Sequence, residues 1–332
     1  MAFEGVRAAM AAYEADLFDL ANVVGVAVGR KVVGGRELDE PCIVVYVDHK
    51  EAEDRLRRRD LVPAALDGVR TDVVETGRFR ALPVLETLEV SHTAKVRPAP
   101  GGVSIAHERV TAGTLGILAR RTSGEAVILS NNHVLADSNE AKAGDRILQP
   151  GPYDGGRPQD AIAELAEYVP IQFRDQDLSR LGRLLERTLG PLLAPIGLGV
   201  RRLPSGNTNI VDAAIAKPLE ADLVAPDILE IGRVAGTAEA TIGMRVRKSG
   251  RTTGLTRGRV TALDASVEVD YGGKTALFRR QIIGDILSRG GDSGSLIMDD
   301  ANHAVGLLFA GGATTTILNP IEAVLSALRL RI

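Results

Sequence analysis

The chain has 332 residues, of which 45% are hydrophobic, and it carries a formal net charge of −3 with a pI near 6.0. This length suits two or three domains, and the apolar fraction is sufficient for a sizeable core. A slightly acidic chain with 3% aromatic residues offers neither a basic groove nor a stacking platform, so we expect no nucleic-acid partner. No run approaches the about 20 apolar residues of a membrane span, so we expect no membrane partner.

Cys42 is the only cysteine, which rules out a disulfide within the chain. Secreted proteins commonly carry disulfides, and the N-terminal residues lack the basic start, apolar core and cleavage site of a signal peptide. We therefore predict a cytoplasmic protein in which Cys42, inside a strand-like run, is a buried structural thiol.

The pattern of residues 1–95 predicts a small α/β domain. A first helix is indicated by apolar residues that recur on one helical face, namely Val6, Met10, Tyr13, Leu17 and Leu20. Strand-like runs follow at 23–28, 43–47 and 69–74. Between the first two runs, Gly34 and Gly35 favour a hairpin turn.

Residues 96–332 begin with Pro98–Gly102, whose composition predicts a linker. Many short strands separated by Gly, Pro and Asp turns then indicate a mainly β barrel or sandwich. These runs cover 111–119, 126–130, 210–215, 245–248, 259–263, 266–269 and 296–298.

Two helices interrupt or close this β region. Leucines at helical spacing predict an amphipathic insertion at about 174–193, which covers a barrel surface or alternatively acts as a lid or an oligomer contact. A C-terminal helix is predicted from a capping pattern in which Asn319 caps the helix, Pro320 takes its first position and Glu322 completes a capping box.

Two motifs carry nucleophilic chemistry. Gly291-Asp292-Ser293-Gly294-Ser295 is a turn around a serine, and Leu129-Ser130-Asn131-Asn132-His133-Val134-Leu135 lies upstream of it. A serine hydroxyl is a poor nucleophile until a neighbouring base, here His133, removes its proton. An aspartate that orients the base completes the arrangement.

The orienting aspartate has two candidates. Asp212 follows the strand-like Ile210-Val211, whereas Asp160 follows a turn-rich stretch that is typical of a loop. We favour Asp212 and keep Asp160 as the alternative. Glycines around Ser293 free the backbone to aim the N–H groups of Gly291 and Ser293 at one oxyanion.

These motifs resemble those of the trypsin-like (chymotrypsin-fold) serine peptidases. The serine turn resembles their nucleophile turn, and Lys248–Thr256 resembles the segment before it in streptogrisin-like members. The histidine segment and Val211–Ala216 are most similar to the narrow-leaf-type peptidases of bacteria and plants. The resemblance covers most of residues 100–330 with distinctive motifs.

The resemblance implies a mainly β fold, a chymotrypsin-like double β-barrel at 96–332 that follows the small α/β domain at 1–95 and ends in a C-terminal helix. It implies a serine endopeptidase that acts on a protein or peptide through an acyl-enzyme on Ser293, with His133 as general base and Asp212 as orienting acid. No cofactor or metal is expected, and a homo-oligomer is possible. The alternative is a catalytically silent or assembly-gated binding scaffold.

The resemblance also implies a substrate pocket with Leu287 at its base and Phe309, Ala310 and Gly311 as one wall. An apolar base favours an uncharged side chain before the scissile bond. Phe309 replaces a serine whose hydroxyl often supports the aspartate in relatives. Arg30–Gly35 resembles a zymogen cleavage site, but its position a whole domain before His133 favours the hairpin.

Overall fold

A computed structural model describes residues 2–81, 90–174 and 208–332. The helical insertion predicted at about 174–193 lies outside the described residues, apart from its first residue. Within the described part of the chain, no helix is long and apolar enough to cross a membrane.

The N-terminal part is a helix on a sheet, as its patterns predict. Helix α1 (Ala2–Phe18) packs Val6, Met10 and Leu17 against the valines of the first two strands. Its apolar residues recur every three or four positions, so one face can be buried while the other stays in water. The strands of this part are β1 (Val23–Val33), β2 (Arg36–Val47), β3 (Ala65–Leu66), β4 (Val69–Glu75) and β5 (Phe79–Arg80).

The predicted hairpin at Gly34 and Gly35 is confirmed. Strands β1 and β2 pair antiparallel with Val33 opposite Arg36, and both glycines take positive φ angles of 58° and 78°. Glycine adopts such angles without the steric penalty of a side chain. Cys42, on β2, is fully buried, and this burial raises the pKa of its thiol to about 12.

The rest of the chain is built mainly from short strands. The strands are β6 (Ala99–Gly101), β7 (Ser104–His107), β8 (Gly113–Thr114), β9 (Ile117–Arg121), β10 (Ala126–Ser130), β11 (Arg146–Leu148), β12 (Ala161–Tyr168), β13 (Ala214–Pro218), β14 (Val224–Ile228), β15 (Gly236–Thr237), β16 (Arg245–Gly250), β17 (Gly254–Asp270), β18 (Thr275–Gly284), β19 (Leu296–Asp299), β20 (His303–Gly311), β21 (Thr316–Pro320) and β22 (Leu330–Arg331). The α-helices after α1 within the described ranges are α2 (Val90–Thr93), α3 (Asn132–Leu135) and α4 (Ile321–Leu328).

The first β unit is one sheet in the order β22-β9-β10-β13-β12-β11-β7-β8. Alternate residues of its strands point inward, and Ile105, Ile128, Ile147 and Ile162 are fully buried in one of its cores. Helix α3 follows β10 directly, which brings the histidine motif to the end of a central strand.

The second β unit is a closed ring of six strands. The order is β16-β19-β20-β21-β18-β17, and β16 also pairs with β17, which closes the ring. Strand β17 is long enough to pair with two strands along one of its edges. Residues 254–259 pair with β16, and residues 262–267 pair with β1. The N-terminal strands are therefore an extension of the sheet of the second β unit, and the domain boundary at residue 95 stays a prediction.

The prediction of a linker at Pro98–Gly102 is wrong. Ala99–Gly101 is strand β6, which pairs in parallel with β14, and Ala99 and Gly101 are buried. A Cβ on Gly101 would lie 2.5 Å from the carbonyl oxygen of Gly116, so glycine is needed there for close packing. Tertiary pairing overrides the local turn composition.

The C-terminal helix is confirmed, but its predicted cap is wrong. Helix α4 begins at Ile321 after Pro320, without a side-chain cap, and buries Val324, Leu325 and Leu328. The Asn319 side chain hydrogen-bonds elsewhere, in the candidate active site. The fold class is mainly β with a C-terminal helix, as predicted.

Candidate active site

The structure brings His133 and Asp212 together. His133 Nδ1 lies 2.6 Å from Asp212 Oδ2, and the His133 backbone N–H donates to Asp212 Oδ1 at 3.3 Å. Asp212 has no exposed surface, whereas the His133 side chain keeps 12% of its own. His133 Nε2 is buried and has no hydrogen-bond partner among the described residues. The imidazole is thus held at one nitrogen and unoccupied at the other.

Two asparagines hold the backbone of Asp212. Asn131 Nδ2 donates to the Asp212 carbonyl at 2.7 Å, and the Asp212 N–H donates to Asn319 Oδ1 at 3.0 Å. Asn319 in turn donates to Gln281 Oε1 at 2.7 Å. These hydrogen bonds explain why Asn319 does not cap the helix. Its side chain accepts from the buried Asp212 N–H, and a buried N–H group without an acceptor would destabilise the fold.

Tyr271 also donates to Asp212, which sequence reasoning missed. Its hydroxyl lies 2.8 Å from Asp212 Oδ2, and its ring is 5.9 Å from the His133 ring at an interplanar angle of 72°. The neighbouring carboxylate and, above all, burial raise the pKa of Tyr271 well above its ordinary value. The phenol therefore stays protonated and acts as a donor.

Asp160, the alternative orienting residue, is engaged elsewhere. Its carboxylate accepts from Lys95 Nζ at 2.6 Å and from the Arg157 N–H at 2.9 Å. These bonds, with that of Lys95 first, lower the pKa of Asp160 below its ordinary value. No hydrogen bond joins it to His133 in the described part of the chain.

The serine turn depends on two glycines with positive φ angles, 95° at Gly291 and 97° at Gly294. A Cβ on Gly294 would lie 2.2 Å from Ser130 Oγ and 2.3 Å from the Thr114 carbonyl oxygen. The serine turn is therefore packed tightly against Ser130, the last residue of β10, which precedes His133 by three positions.

Ser293 is nearly buried, with 2% of its surface exposed. Its hydroxyl donates to the Phe309 carbonyl at 3.4 Å, and no hydrogen bond links it to His133 among the described residues. A rotation about the Cα–Cβ bond of Ser293 changes the direction of this hydroxyl without moving the backbone.

The two predicted oxyanion donors are the N–H groups of Gly291 and Ser293. Neither the Gly291 N–H nor the Ser293 N–H has an acceptor within the described residues, whereas the N–H groups of Asp292 and Gly294 donate to the carbonyls of Arg289 and Leu308. Thr114 anchors the turn, since its hydroxyl donates to the Gly291 carbonyl at 2.7 Å and its N–H donates to the Ser293 carbonyl at 2.8 Å. The carbonyl groups are thus fixed from the first β unit while the two amides stay unpaired.

The carboxylate of Asp292, next to Ser293, is fully buried and well supplied with donors. It accepts from the N–H of Thr252 at 2.9 Å, from the N–H of Thr253 at 3.1 Å and from the N–H of Arg289 at 2.9 Å. Lys248 Nζ lies 3.3 Å from its Oδ2, and neither side chain is exposed. Burial lowers the pKa of Lys248, while Asp292 opposes that change.

This arrangement bears on the resemblance of Arg30–Gly35 to a zymogen cleavage site. The resemblance implies that a newly cut terminal amine pairs with the aspartate before the nucleophile, but Asp292 already has Lys248 as its cation. Val32 and Val33 pair with Glu37 and Arg36 at the tip of the β1–β2 hairpin.

A second buried ion pair joins the two β units. Arg251 forms a bidentate contact with Asp154, with Nε to Oδ2 at 2.9 Å, and Ser104 Oγ donates to the same carboxylate at 2.6 Å. The Arg251 N–H donates to Thr114 Oγ1 at 3.0 Å. Residues of the Lys248–Thr256 block thus fix the serine turn from both sides.

The predicted pocket residues do not share one environment. Leu287 is 54% exposed, whereas Phe309 and Ala310 are fully buried in a core of the second β unit. The Phe309 ring lies 4.7 Å from the Phe278 ring at an interplanar angle of 48°, so it faces the core. Gly311 pairs with Arg80 of β5, at the end of β20. The pocket stays a prediction.

Metal ligands are not gathered at this site. In the described ranges, no three His, Cys, Asp or Glu side chains lie together as a metal ion would require.

The fold is similar to that of solved bacterial serine proteases, at low identity. Protease A of Thermobifida fusca is 19% identical with a TM-score of 0.45, and the match covers 70% of this chain and 98% of that one. A chymotrypsin of Cellulomonas bogoriensis is 20% identical (TM-score 0.42, covering 70% and 97%), and a Nocardiopsis protease is 18% identical (0.43, covering 70% and 98%). No protein-family model matches the chain.

Proposed function

We propose that this chain is a serine endopeptidase in which Ser293 is the nucleophile, His133 the general base and Asp212 the orienting acid. The observation that carries the proposal is the His133–Asp212 hydrogen bond at 2.6 Å, combined with a buried His133 Nε2 that has no partner among the described residues. A histidine fixed at Nδ1 by a buried carboxylate and free at Nε2 is arranged to accept a proton.

The reaction begins when the Ser293 hydroxyl turns from the Phe309 carbonyl toward His133. Its Oγ attacks the scissile carbonyl carbon as the Oγ proton passes to His133 Nε2. The carbonyl oxygen becomes an oxyanion that the N–H groups of Gly291 and Ser293 bind. Losing one such donor costs about 3 kcal/mol of transition-state stabilisation.

The tetrahedral intermediate collapses when the C–N bond breaks and His133 gives its proton to the leaving amine. This step leaves an ester on Ser293, and water then hydrolyses the ester by the same base and the same oxyanion donors. Asp212 stays ionised throughout, because it accepts from His133 and stabilises the protonated imidazole.

A fluorophosphonate probe tests this proposal without a known substrate, because it reacts with an activated serine. The wild type is expected to be labelled on Ser293, and Ser293→Ala is expected to lose the label. Ser326→Ala is the matched control, since Ser326 is an exposed serine of α4 and its loss should leave labelling unchanged. Equal labelling of wild type and Ser293→Ala contradicts the assignment.

Specificity is part of the same proposal, and we expect an uncharged side chain before the scissile bond. The apolar Leu287, six residues before Ser293, is exposed, and the hydroxyl of the next residue, Ser288, is hydrogen-bonded to that of Thr316 at 2.6 Å. No charged side chain is placed at these three positions. Cleavage of a peptide library checks this expectation, and a dominant preference for basic or acidic residues contradicts it.

The alternative is a silent or assembly-gated binding scaffold. It is favoured by one observation, the Ser293 hydroxyl bonded to Phe309 rather than to His133. A purified protein that binds a protein partner, resists the probe and cleaves no library peptide would support this alternative. Light scattering of the same sample reports whether an oligomer forms.

A further inference from the structure

Two donors share one carboxylate oxygen in the candidate site. Tyr271 Oη lies 2.8 Å from Asp212 Oδ2, and His133 Nδ1 lies 2.6 Å from the same atom. Asp212 has no exposed surface, so protein donors must satisfy this oxygen. A buried carboxylate is costly unless it is well hydrogen-bonded, and bonds to a charged acceptor are the strong ones.

Tyr271 reaches Asp212 from the other β unit. It begins the turn between β17 and β18, and its N–H donates to the Lys274 carbonyl at 2.8 Å, which closes that turn. Lys274 Nζ forms an ion pair with Glu140 at 3.0 Å, just after the histidine segment of the first β unit. The tip of the hairpin is thus attached on the side of the molecule that carries His133.

Aromatic neighbours fix the ring of Tyr271. Phe173 contacts it edge-on with ring centroids 5.5 Å apart, and Phe278 lies at 6.2 Å with an interplanar angle of 31°. The ring also contacts the imidazole of His133 edge-on at 5.9 Å. Because rings packed in this way have few alternative rotamers, the hydroxyl keeps one direction.

We propose that Tyr271 is a positioning residue for the reaction described above: its hydroxyl fixes Asp212 Oδ2 where that oxygen accepts from His133 Nδ1, and it moderates the negative charge that His133 feels. This inference rests on the proposed function, but the hydrogen-bond arrangement itself is independent of activity. Among the described residues the Tyr271 hydroxyl bonds to Asp212 and to neither Ser293 nor His133 Nε2, so it acts through Asp212 and His133.

Removal of the hydroxyl has two separable effects. Asp212 loses one of the donors that orient it, which slows proton transfer at His133. Its charge is also less neutralised, so it stabilises the protonated imidazole more strongly. Only the neutral imidazole acts as a base. If the protonated form is more stable, a higher pH is needed to deprotonate it, so the midpoint of the pH–rate profile rises. A loss of packing alone lowers the reaction rate but leaves the midpoint of the pH–rate profile unchanged.

The test is Tyr271→Phe, which keeps the ring and removes the hydroxyl. We expect the rate of fluorophosphonate labelling at neutral pH to fall about tenfold, as for the loss of one hydrogen bond to a charged group. We expect the midpoint of the pH–rate profile to rise by roughly half a unit to one unit. Tyr168→Phe is the matched control, because that hydroxyl donates to the Asn139 carbonyl at 3.4 Å instead. It should change neither value.

Proton NMR keeps this test decisive if the wild type resists the probe. The His133 Nδ1 proton, in a short bond to a carboxylate, gives a resonance far downfield. This resonance should move in Tyr271→Phe and stay in Tyr168→Phe, whether or not the protein is active. An unlabelled wild type together with a shifted resonance in Tyr271→Phe defeats the peptidase proposal, and it leaves only the structural part of the inference, that Tyr271 orients Asp212 and His133. An unchanged pH midpoint and an unchanged resonance in folded Tyr271→Phe overturn the inference.

Discussion

Lys248 Nζ and Asp292 Oδ2 form an ion pair at 3.3 Å in which neither side chain has any exposed surface. Removing one partner of a buried pair leaves an uncompensated charge, whereas an exposed pair contributes little. The residue before the proposed nucleophile is thus held by a cation from within the chain.

Lys248→Met keeps the length of the side chain and removes its charge. We expect the free energy of unfolding to fall by about 3–5 kcal/mol, because Asp292 then stays buried without its cation. Urea unfolding measures this change. The control is Lys274→Met, whose pair with Glu140 is largely exposed, with an expected loss of at most about 1 kcal/mol. Equal losses in the two variants would contradict the importance of burial.

Asp212→Asn should leave the fold intact and strongly reduce activity. An amide in place of the carboxylate cannot favour the same tautomer of His133 or stabilise its charged form, so we expect turnover to fall about 10⁴-fold, as in comparable triads. Asp160→Asn should leave turnover unchanged, because Asp160 bonds to Lys95 and Arg157 instead. The labelling rate of Ser293 measures both. The opposite result would transfer the orienting role to Asp160.

Asp160 should instead contribute to stability against acid. Its pKa is lower in the folded chain than in the unfolded chain, so its contribution is fully present above the unfolded value of about 3.8 and is lost as the pH falls through the lower folded value. The unfolding temperature of Asp160→Asn should therefore lie below that of the wild type at pH 6. The two temperatures should converge as the pH falls below the folded-state pKa of Asp160. A difference that grows as the pH falls would contradict this sign.

Gly294→Ala separates backbone strain from a steric clash. Gly294 and Gly124 have similar φ angles, 97° and 92°, but a Cβ on Gly124 meets nothing within 4 Å. Gly124→Ala should therefore cost only the strain of a left-handed residue, about 1–2 kcal/mol. Gly294→Ala adds contacts at 2.2 Å and 2.3 Å with backbone and side chain, so we expect a larger loss of stability and no labelling of Ser293. Unfolding curves and probe labelling check both variants.

Local patterns predicted what is encoded locally. The apolar face of α1, the Gly34-Gly35 hairpin and the two glycines around Ser293 each depend on neighbouring residues, so sequence reasoning found them. His133 and Asp212 were placed by motifs, and the structure brings their side chains together. Their roles stay proposals.

The misses are all long-range contacts. Tyr271 is separated from Asp212 by 59 positions in the sequence, and nothing in its own turn indicates a carboxylate partner. Asn319 is a residue type that commonly caps helices, yet its side chain accepts a hydrogen bond from the buried N–H of Asp212 instead. Ala99–Gly101 has the composition of a linker, yet pairing with β14 makes it a strand. In each case a distant partner outweighs the local preference.

The two partners of β17 have a consequence for solubility. Residues 262–267 of this strand lie beyond the closed ring, and β1 covers their N–H and C=O groups. A protein shortened to residues 96–332 would expose that row of backbone groups, which is a template for pairing with another molecule. The N-terminal strand β1 thus covers a strand edge of the second β unit that would otherwise be open to such pairing.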